Sequence, residues 1–401
     1  MSQTIHRRAQ TLRKEVADIA NVSRNEVSVV RSPYRVCPLG AHVDHQLGEV
    51  TGMALDRELL LGFARATDRT MRVTSHNFPG QIEFDLDDVP EAPVGDWGDY
   101  ARGAAFALQK HHRLTRGLVG VVDGYDKVGG LSSSAAVGVA YLLALEHANE
   151  LGLSQSENIE LDRVIENDFI GLNNGILDQS TILLSQKDHL TYLDCESGKP
   201  ATHPCGADRD LVIVALFSGL RSQLCDTDYN LRVSECEKAA NLLLQAADRK
   251  VPENPKLRHV TADTFRAHRD ALPARLRRRA EHFFGEQERV RKGVELWKSG
   301  DLEEFGRLIT ESGRSSVENY ECGNRYLRTA YEVLRQAPGV LGARFSGAGF
   351  RGCCIGLADA SVEEDPQFRS SVLQSYLEQH PDMESETEIF FCRSADGANL
   401  L

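Results

Sequence analysis

Residues 129–136 read GGLSSSAA and run without a break into VGVAYLLALEHA, residues 137–148. Gly129 and Gly130 let the backbone approach an anion with no Cβ in the way. Leu131, Ser132, Ser133 and Ser134 follow with three hydroxyls, so N–H and O–H donors are presented together. Val137, Ala140, Tyr141, Ala144, Leu145 and Ala148 recur at helical spacing, and Ala135 and Ala136 are strong helix formers. A helix therefore begins inside the stretch, with its first-turn N–H groups and dipole pointing at a bound phosphate. A serine-rich cap after a tight turn would leave the same local trace. Distant segments decide between the two readings.

No lysine follows a GxxxxG frame, and neither an HRDxxxxN nor a DFG signature occurs, which sets aside the Walker A proteins and the protein kinases. With 401 residues, 41% hydrophobic and 26% charged, the chain is too long for one compact core and reads as two domains. A net charge of -13 argues against nucleic acid as a partner, because phosphate backbones are bound by basic surfaces. The opening MSQTIHRRAQTLRKEVADIA has no uninterrupted apolar core, and the longest apolar run, Leu211–Phe217, is too short to span a bilayer. Neither secretion nor a membrane anchor is expected. Nine cysteines without repeated CxxC spacing point to reduced thiols in the cytoplasm, with Cys353 and Cys354 as small core residues and not metal ligands.

Outward from the glycine loop, Leu118–Val122 reads as the strand that feeds it and Trp97–His112 as a helix before that. Further back lie strands in LLLGFARA, TMRVTSH and QIEFD, a short strand Glu26–Val30 and an amphipathic helix Ile5–Val22. RSPYRVCPLGAHVDHQLGEV, from Arg31, carries Pro33, Pro38, Gly40 and Gly48 and reads as irregular. Beyond the loop helix come a helix near Asn158–Gly171, strands His189–Leu193 and Leu211–Phe217, and a domain boundary between Cys195 and Arg209. The second half reads as helices Asp228–Arg249, 263–299 with a break at Pro273, 301–319 and 326–336. Strands Gly342–Phe345, Cys353–Leu357 and Glu388–Cys392 and a helix near 365–379 complete an α+β pattern. On Asp228–Arg249, Leu231, Ala239, Leu242, Leu243 and Ala246 share a face, and RLRRRAEHFFGEQERVRK (275–292) is most simply a solvated helix.

Three segments spread over more than three hundred residues are RVCPLGAHVDH from Arg35, GGLSSSAA from Gly129 and SGAGFRGCC from Ser346. In order and character they resemble the three motifs of the GHMP kinase superfamily, and a fourth, GILDQ from Gly175, resembles its galactokinase branch. The resemblance implies a two-domain α+β fold. A mixed βα N-terminal domain (1–200) and a ferredoxin-like C-terminal domain (201–401) would hold the active site between them, and a monomer or weak dimer is expected. It also implies ATP and Mg2+, with Gly129, Gly130, Leu131, Ser132, Ser133, Ser134 and Ala135 around the nucleotide phosphates.

Galactokinases carry a glutamate twelve positions before the aspartate of the DQ pair, a register that Glu166 and Asp178 satisfy. The resemblance implies that Ser134 and Glu166 hold magnesium, for which hydroxyl and carboxylate oxygens have suitable hardness. Alone, Glu166 would read as a helix-surface acid. Asp178 resembles the catalytic aspartate and Arg35 the arginine that faces it. A sugar hydroxyl is a poor nucleophile near neutral pH, a carboxylate beside it can accept its proton or orient it, and a guanidinium keeps that carboxylate ionised. A purely structural ion pair is the plainer alternative.

Where galactokinases read GEHxDY, this chain reads Gly40, Ala41, His42, Val43, Asp44, His45. In galactokinases that glutamate faces the hydroxymethyl group on carbon 6. With alanine, the pocket loses a charge that would repel a carboxylate by about 4 kcal/mol at about 4 Å and an effective dielectric of about 20. The change favours a uronic acid. GAHVDHQ, together with DWGDYARGA and NGILDQSTILLS, is similar to galacturonokinases, which phosphorylate D-galacturonate at its anomeric carbon. By resemblance Asp44 accepts from ring hydroxyls, Tyr229 in DTDYNLR and Gly347 contact the sugar, and Arg35, His42 and His45 are the candidate cations for the sugar acid. Arg351 replaces a usual glycine, either to bring charge near the site or to face solvent. The alternatives are a galactokinase, an N-acetylgalactosamine kinase and a catalytically silent sugar sensor.

Overall fold

The computed structural model describes residues 3–125, 129–220 and 228–401, and the chain builds two β-sheets whose apolar faces contribute to one core. Helix α1 (Gln3–Ala20) precedes strands β1 (Ser28–Val36), β2 (Glu49–Arg65), β3 (Thr70–Ser75) and β4 (Gln81–Asp85). Helix α2 (Asp99–Gln109), strand β5 (Leu118–Asp123) and helices α3 (Ser133–Asn149), α4 (Gln155–Val164) and α5 (Leu177–Leu184) follow. Next come strands β6 (His189–Asp194), β7 (Lys199–Pro204) and β8 (Leu211–Phe217), then helices α6 (Tyr229–Ala246), α7 (Ala262–His268), α8 (Ala274–Ser299), α9 (Leu302–Glu318) and α10 (Arg325–Gln336). Strands β9 (Val340–Phe345) and β10 (Cys353–Asp359), the single turn α11 (Ser361–Glu364), helix α12 (Phe368–Leu377) and strands β11 (Glu388–Cys392), β12 (Ser394–Ala395) and β13 (Asn399–Leu400) complete the chain.

The first sheet runs β13-β1-β2-β5-β3-β4, and only β3 and β5 pair in parallel. β6 extends it along the start of β2 and forms a hairpin with β7, so the expected boundary segment contains a strand. The helical spacing of Ala9, Leu12 and Val16 lets α1 bury one stripe against Val29, Leu60 and Val121 of this sheet. The second sheet is antiparallel in the order β11-β8-β10-β9, the strand order of a ferredoxin-like fold, which bears out that part of the sequence reading. After β11 the chain returns to the first sheet, where β12 pairs with β2 and β13 with β1. Among the described residues no helix is long and apolar enough to cross a membrane. The eight described cysteines are free thiols, with Cys353 and Cys354 in the core; Cys225 lies outside the described residues.

Three sequence expectations need correction. Residues 31–36 are not irregular, because β1 continues through Pro33 to Val36. The ladder to β2 shifts register between Pro33 and Arg35, and a bulge there takes a residue that has no N–H to give. On α6 the buried positions include Val233, Cys236, Ala239, Ala240, Leu243 and Leu244, whereas Leu231 and Ala246 are exposed.

The basic stretch 275–292 is not simply solvated either. It lies in α8, whose inner face buries Arg279, His282, Glu286 and Gln287. Charge alone cannot reveal this, because each buried group has its own partner. Arg279 donates to Glu235 at 2.7 Å, to Glu321 at 2.5 Å and to the Asn319 carbonyl at 2.5 Å. Arg279→Met is therefore expected to cost about 3 kcal/mol, read as a lower midpoint in urea unfolding. An unchanged midpoint would show that the buried guanidinium does not brace this half of the chain.

Candidate active site

Four distant segments meet at one cavity. Its wall includes Arg35, Ala41, His42, Asp44, Asp178, Tyr229, Arg344 and Gly347. The meeting is held by backbone. Arg35 on β1 donates its N–H to the Leu131 carbonyl at 3.1 Å, and Cys353 at the start of β10 donates to the Gly129 carbonyl at 2.8 Å. The glycines permit this approach, since a Cβ on Gly352, at φ +96°, would stand 2.3 Å from the Gly129 oxygen. Gly175 is equally constrained, because a Cβ there would lie 2.5 Å from the Asp44 carbonyl carbon.

Asp178 opens α5 and is clamped from two sides. Its Oδ1 accepts from Arg35 Nε at 2.7 Å and lies 2.6 Å from Arg35 Nη2, while Arg35 Nη1 reaches the Gly130 carbonyl at 3.3 Å. Its Oδ2 accepts from the Ser132 hydroxyl. Ser132 stands in the left-handed region, at φ 58°, just before α3, and its side chain does not cap the helix. The helix N-terminus thus keeps its free N–H groups for an anion, flanked by the exposed Ser133 and the half-buried Ser134. Within the predicted phosphate loop, Ser132 turns its hydroxyl to the carboxylate. That role is invisible in the sequence because all three serines look alike.

Glu166 lies in a π-helical turn, Ile165–Phe169, that continues α4. It accepts from Tyr100 at 3.2 Å and Asn174 at 3.1 Å and is hydrogen-bonded to Ser134, so the two residues expected to hold magnesium are adjacent. Burial first, and the charge of Asp178 second, push Glu166 up to about 7. Four residues earlier, Asp162 is fully buried with neither carboxylate oxygen hydrogen-bonded. Burial and then Glu166 hold it well above the ordinary carboxylate range. This accumulation of buried acid suits a cation that arrives with a ligand. Among the described residues no group of three or more His, Cys, Asp or Glu side chains is arranged to hold a metal alone, so such an ion would draw other ligands from phosphate oxygens.

At the other end, the Gly40–His45 loop rests on the second half of the chain. Gly40 donates its N–H to Glu286 at 2.8 Å, and His282 Nε2 meets the Ala41 carbonyl at 2.9 Å. His42 stacks on Tyr320 with ring centroids 4.3 Å apart, and burial followed by the charge of His282 keeps it well below its ordinary value, so it is neutral. His45 is not part of the cavity wall. Its Nε2 lies 3.1 Å from the Tyr320 hydroxyl, and burial pushes it down to about 3. Arg351 is exposed and outside the wall. Sequence reading missed Tyr100, Asn174, His282, Glu286, Tyr320 and Arg344; of these, Tyr100 in DWGDYARGA and Asn174 in NGILDQSTILLS sit in stretches that carried the resemblance, and His282 and Glu286 sit in the basic stretch read as a solvated helix.

The chain matches the family models "GHMP kinases N terminal domain" over residues 99–186 and "GHMP kinases C terminal" over residues 293–370. It is 45% identical to a galacturonokinase of Arabidopsis thaliana over 98% of this chain and 97% of that protein. It is also 31% identical to a galactokinase of Roseiflexus sp. over 92% of each. Among solved structures it is similar to Lactococcus lactis galactokinase complexed with galactose, with a TM-score of 0.88, 28% identity and coverage of 97% of this chain and 99% of that one. Methanococcus jannaschii mevalonate kinase shares the fold, at a TM-score of 0.63 and 16% identity over 92% of this chain and 98% of that one.

Burial, and then the charge of Asp178, raises Asp44 from 3.8 to about 6. The folded protein therefore holds this proton more tightly than the unfolded chain. That contribution is present below 3.8 and lost as pH rises through about 6. Asp44→Asn has nothing to lose in that window. In thermal melts of the ligand-free protein, the variant is expected to gain on the wild type between about pH 4 and pH 7. A gap that does not change with pH would contradict the burial of this carboxylate.

Proposed function

The chain belongs to the GHMP kinase family, in its galactokinase branch, and from that membership we propose that it transfers the γ-phosphoryl group of ATP to the anomeric hydroxyl of D-galacturonate. The products are galacturonate 1-phosphate and ADP. The observation that carries the proposal is the pairing, in one cavity, of a clamped aspartate beside the phosphate loop with Ala41 where galactokinases have a glutamate. The full-length likeness to the Arabidopsis thaliana galacturonokinase supports it.

Asp178 keeps lone pairs free on both oxygens while Arg35 and Ser132 fix its plane. The anomeric oxygen forms the new bond to the γ-phosphorus, the bond to the bridging oxygen of ADP breaks, and the hydroxyl proton passes to Asp178. Arg35 stabilises the ionised carboxylate and the charge on the transferring group. The loop from Gly129 to Ala135 and the start of α3 receive the phosphates. Magnesium, when bound, offsets phosphate charge, and Glu166 and Ser134 are the residues that would hold it. Asp44, Tyr229 and Gly347 face the ring hydroxyls, while His45 supports Tyr320, on which His42 stacks.

We divide the chain at about residue 200, with β12 and β13 returned to the first sheet. The eight described free thiols fit a reducing compartment, the cytoplasm.

An ADP-release assay with galacturonate, glucuronate and galactose side by side tests the substrate, and galacturonate is expected to give the highest kcat/KM. A preference for galactose would favour a galactokinase, and sugar binding without turnover would favour a sensor. Asp178→Asn is expected to lower kcat by about 10²-fold or more while changing galacturonate affinity little. A variant with near wild-type turnover would remove the carboxylate from the chemistry. Ala41→Glu is expected to lower galacturonate use and raise the relative use of galactose. An unchanged preference would refute the charge argument.

A further inference from the structure

A sugar acid brings a carboxylate into the cavity, and the cations first considered for it are already committed or uncharged. Arg35 gives Nε and Nη2 to Asp178 and Nη1 to the Gly130 carbonyl. His42 and His45 are neutral in their buried positions. His282 is too: burial pushes it down to about 4, and its two ring nitrogens are occupied by the Ala41 carbonyl and Ser315.

Arg344, the penultimate residue of β9, differs from these. It lines the cavity together with Ala41 and His42, and its residue is 0% exposed. Its Nε donates to the Phe345 carbonyl at 2.9 Å and its Nη1 to Ser312 Oγ at 2.9 Å, but its Nη2 has no hydrogen-bond partner. The carboxylate that shares Ser312 with it, Glu286, is spent elsewhere. It accepts from Ser312 at 2.9 Å and from the Gly40 N–H at 2.8 Å, and pairs with Arg289 at 2.7 Å. Burial alone would raise Glu286, yet Arg289, His282 and Arg344 together bring it down to about 2, so it stays ionised and cannot turn to meet the ligand as a donor. A buried guanidinium with an idle N–H is costly unless something pairs with it. The small Ala41 side chain leaves an anion room on the same wall.

Resting on the proposed reaction, we infer that Arg344 receives the carboxylate of the sugar acid, through Nη2, and is the residue that sets the preference for an acidic over a neutral hexose. The contact is a charge-assisted hydrogen bond made in a dry, low-dielectric wall, where such bonds are strongest. Ser312 and Glu286 position the guanidinium, and the loop containing Ala41 is tied to the same Glu286 through Gly40, so the alanine and the arginine are held in one frame.

The test is Arg344→Lys, which keeps a cation but loses the planar fork. The ratio of kcat/KM for galacturonate to that for galactose is expected to fall at least about 30-fold, mainly through KM for the acid, as losing one partner of a buried charge pair implies. A brace without a role in recognition would lower both sugars alike, and an unchanged ratio overturns the inference. A second variant does not depend on Arg344→Lys folding. Ala41→Glu supplies a permanent carboxylate to the idle N–H and is expected to raise the melting temperature of the ligand-free protein, whereas a lowered one overturns the inference. If the wild type does not phosphorylate galacturonate, the proposed function fails and this assignment with it. If it does, and the ratio survives in Arg344→Lys, only the assignment to Arg344 fails.

Discussion

The Asp178 carboxylate is the point on which the site depends. Arg35 reaches it from a strand near the start of the chain and Ser132 from the glycine loop, while the aspartate itself opens α5. No short stretch could assemble that clamp, so it exists only once the first sheet has formed and the loop is fastened on both sides by backbone. The Arg35 N–H bonds Leu131 and the Cys353 N–H bonds Gly129. The second of these ties the phosphate loop to the far sheet, which makes the site a product of both halves of the molecule.

The cavity is electrically two-ended. Around Asp178, Asp44, Asp162 and Glu166 are all raised by burial, and each is raised further by neighbouring carboxylate charge. Such a cluster is uncomfortable alone and relaxed by an incoming cation. Around Ala41, burial keeps the imidazoles of His42 and His282 uncharged, while Arg344 keeps a guanidinium nitrogen without a hydrogen-bond partner. A substrate with a hydroxyl at one end and a carboxylate at the other matches both ends.

Much of this was legible in the sequence. The helix that starts inside GGLSSSAA stood out as a local pattern with a chemical reason, and the four motifs and the Glu166–Asp178 register stood out through their resemblance to GHMP kinases. Other features hide because their cause is tertiary. The continuation of β1 through Pro33 depends on a bulge against β2, and the inward face of α8 depends on the partners that Arg279, His282 and Glu286 find across the fold. Arg344 precedes the third motif by only two residues, yet a lone arginine reads as solvent-facing by its residue type, whereas the last four residues of β9 are all buried. Only the packing of β9 against α9, which carries Ser312, turns it into a buried cation.

The orientation of the bound sugar carries the central claim. A crystal structure with galacturonate and a non-hydrolysable ATP analogue should show the anomeric oxygen within hydrogen-bond distance of Asp178 and the uronate group against Ala41. A sugar bound the other way round, with its carboxylate at Asp178, would contradict the assignment of both ends of the cavity.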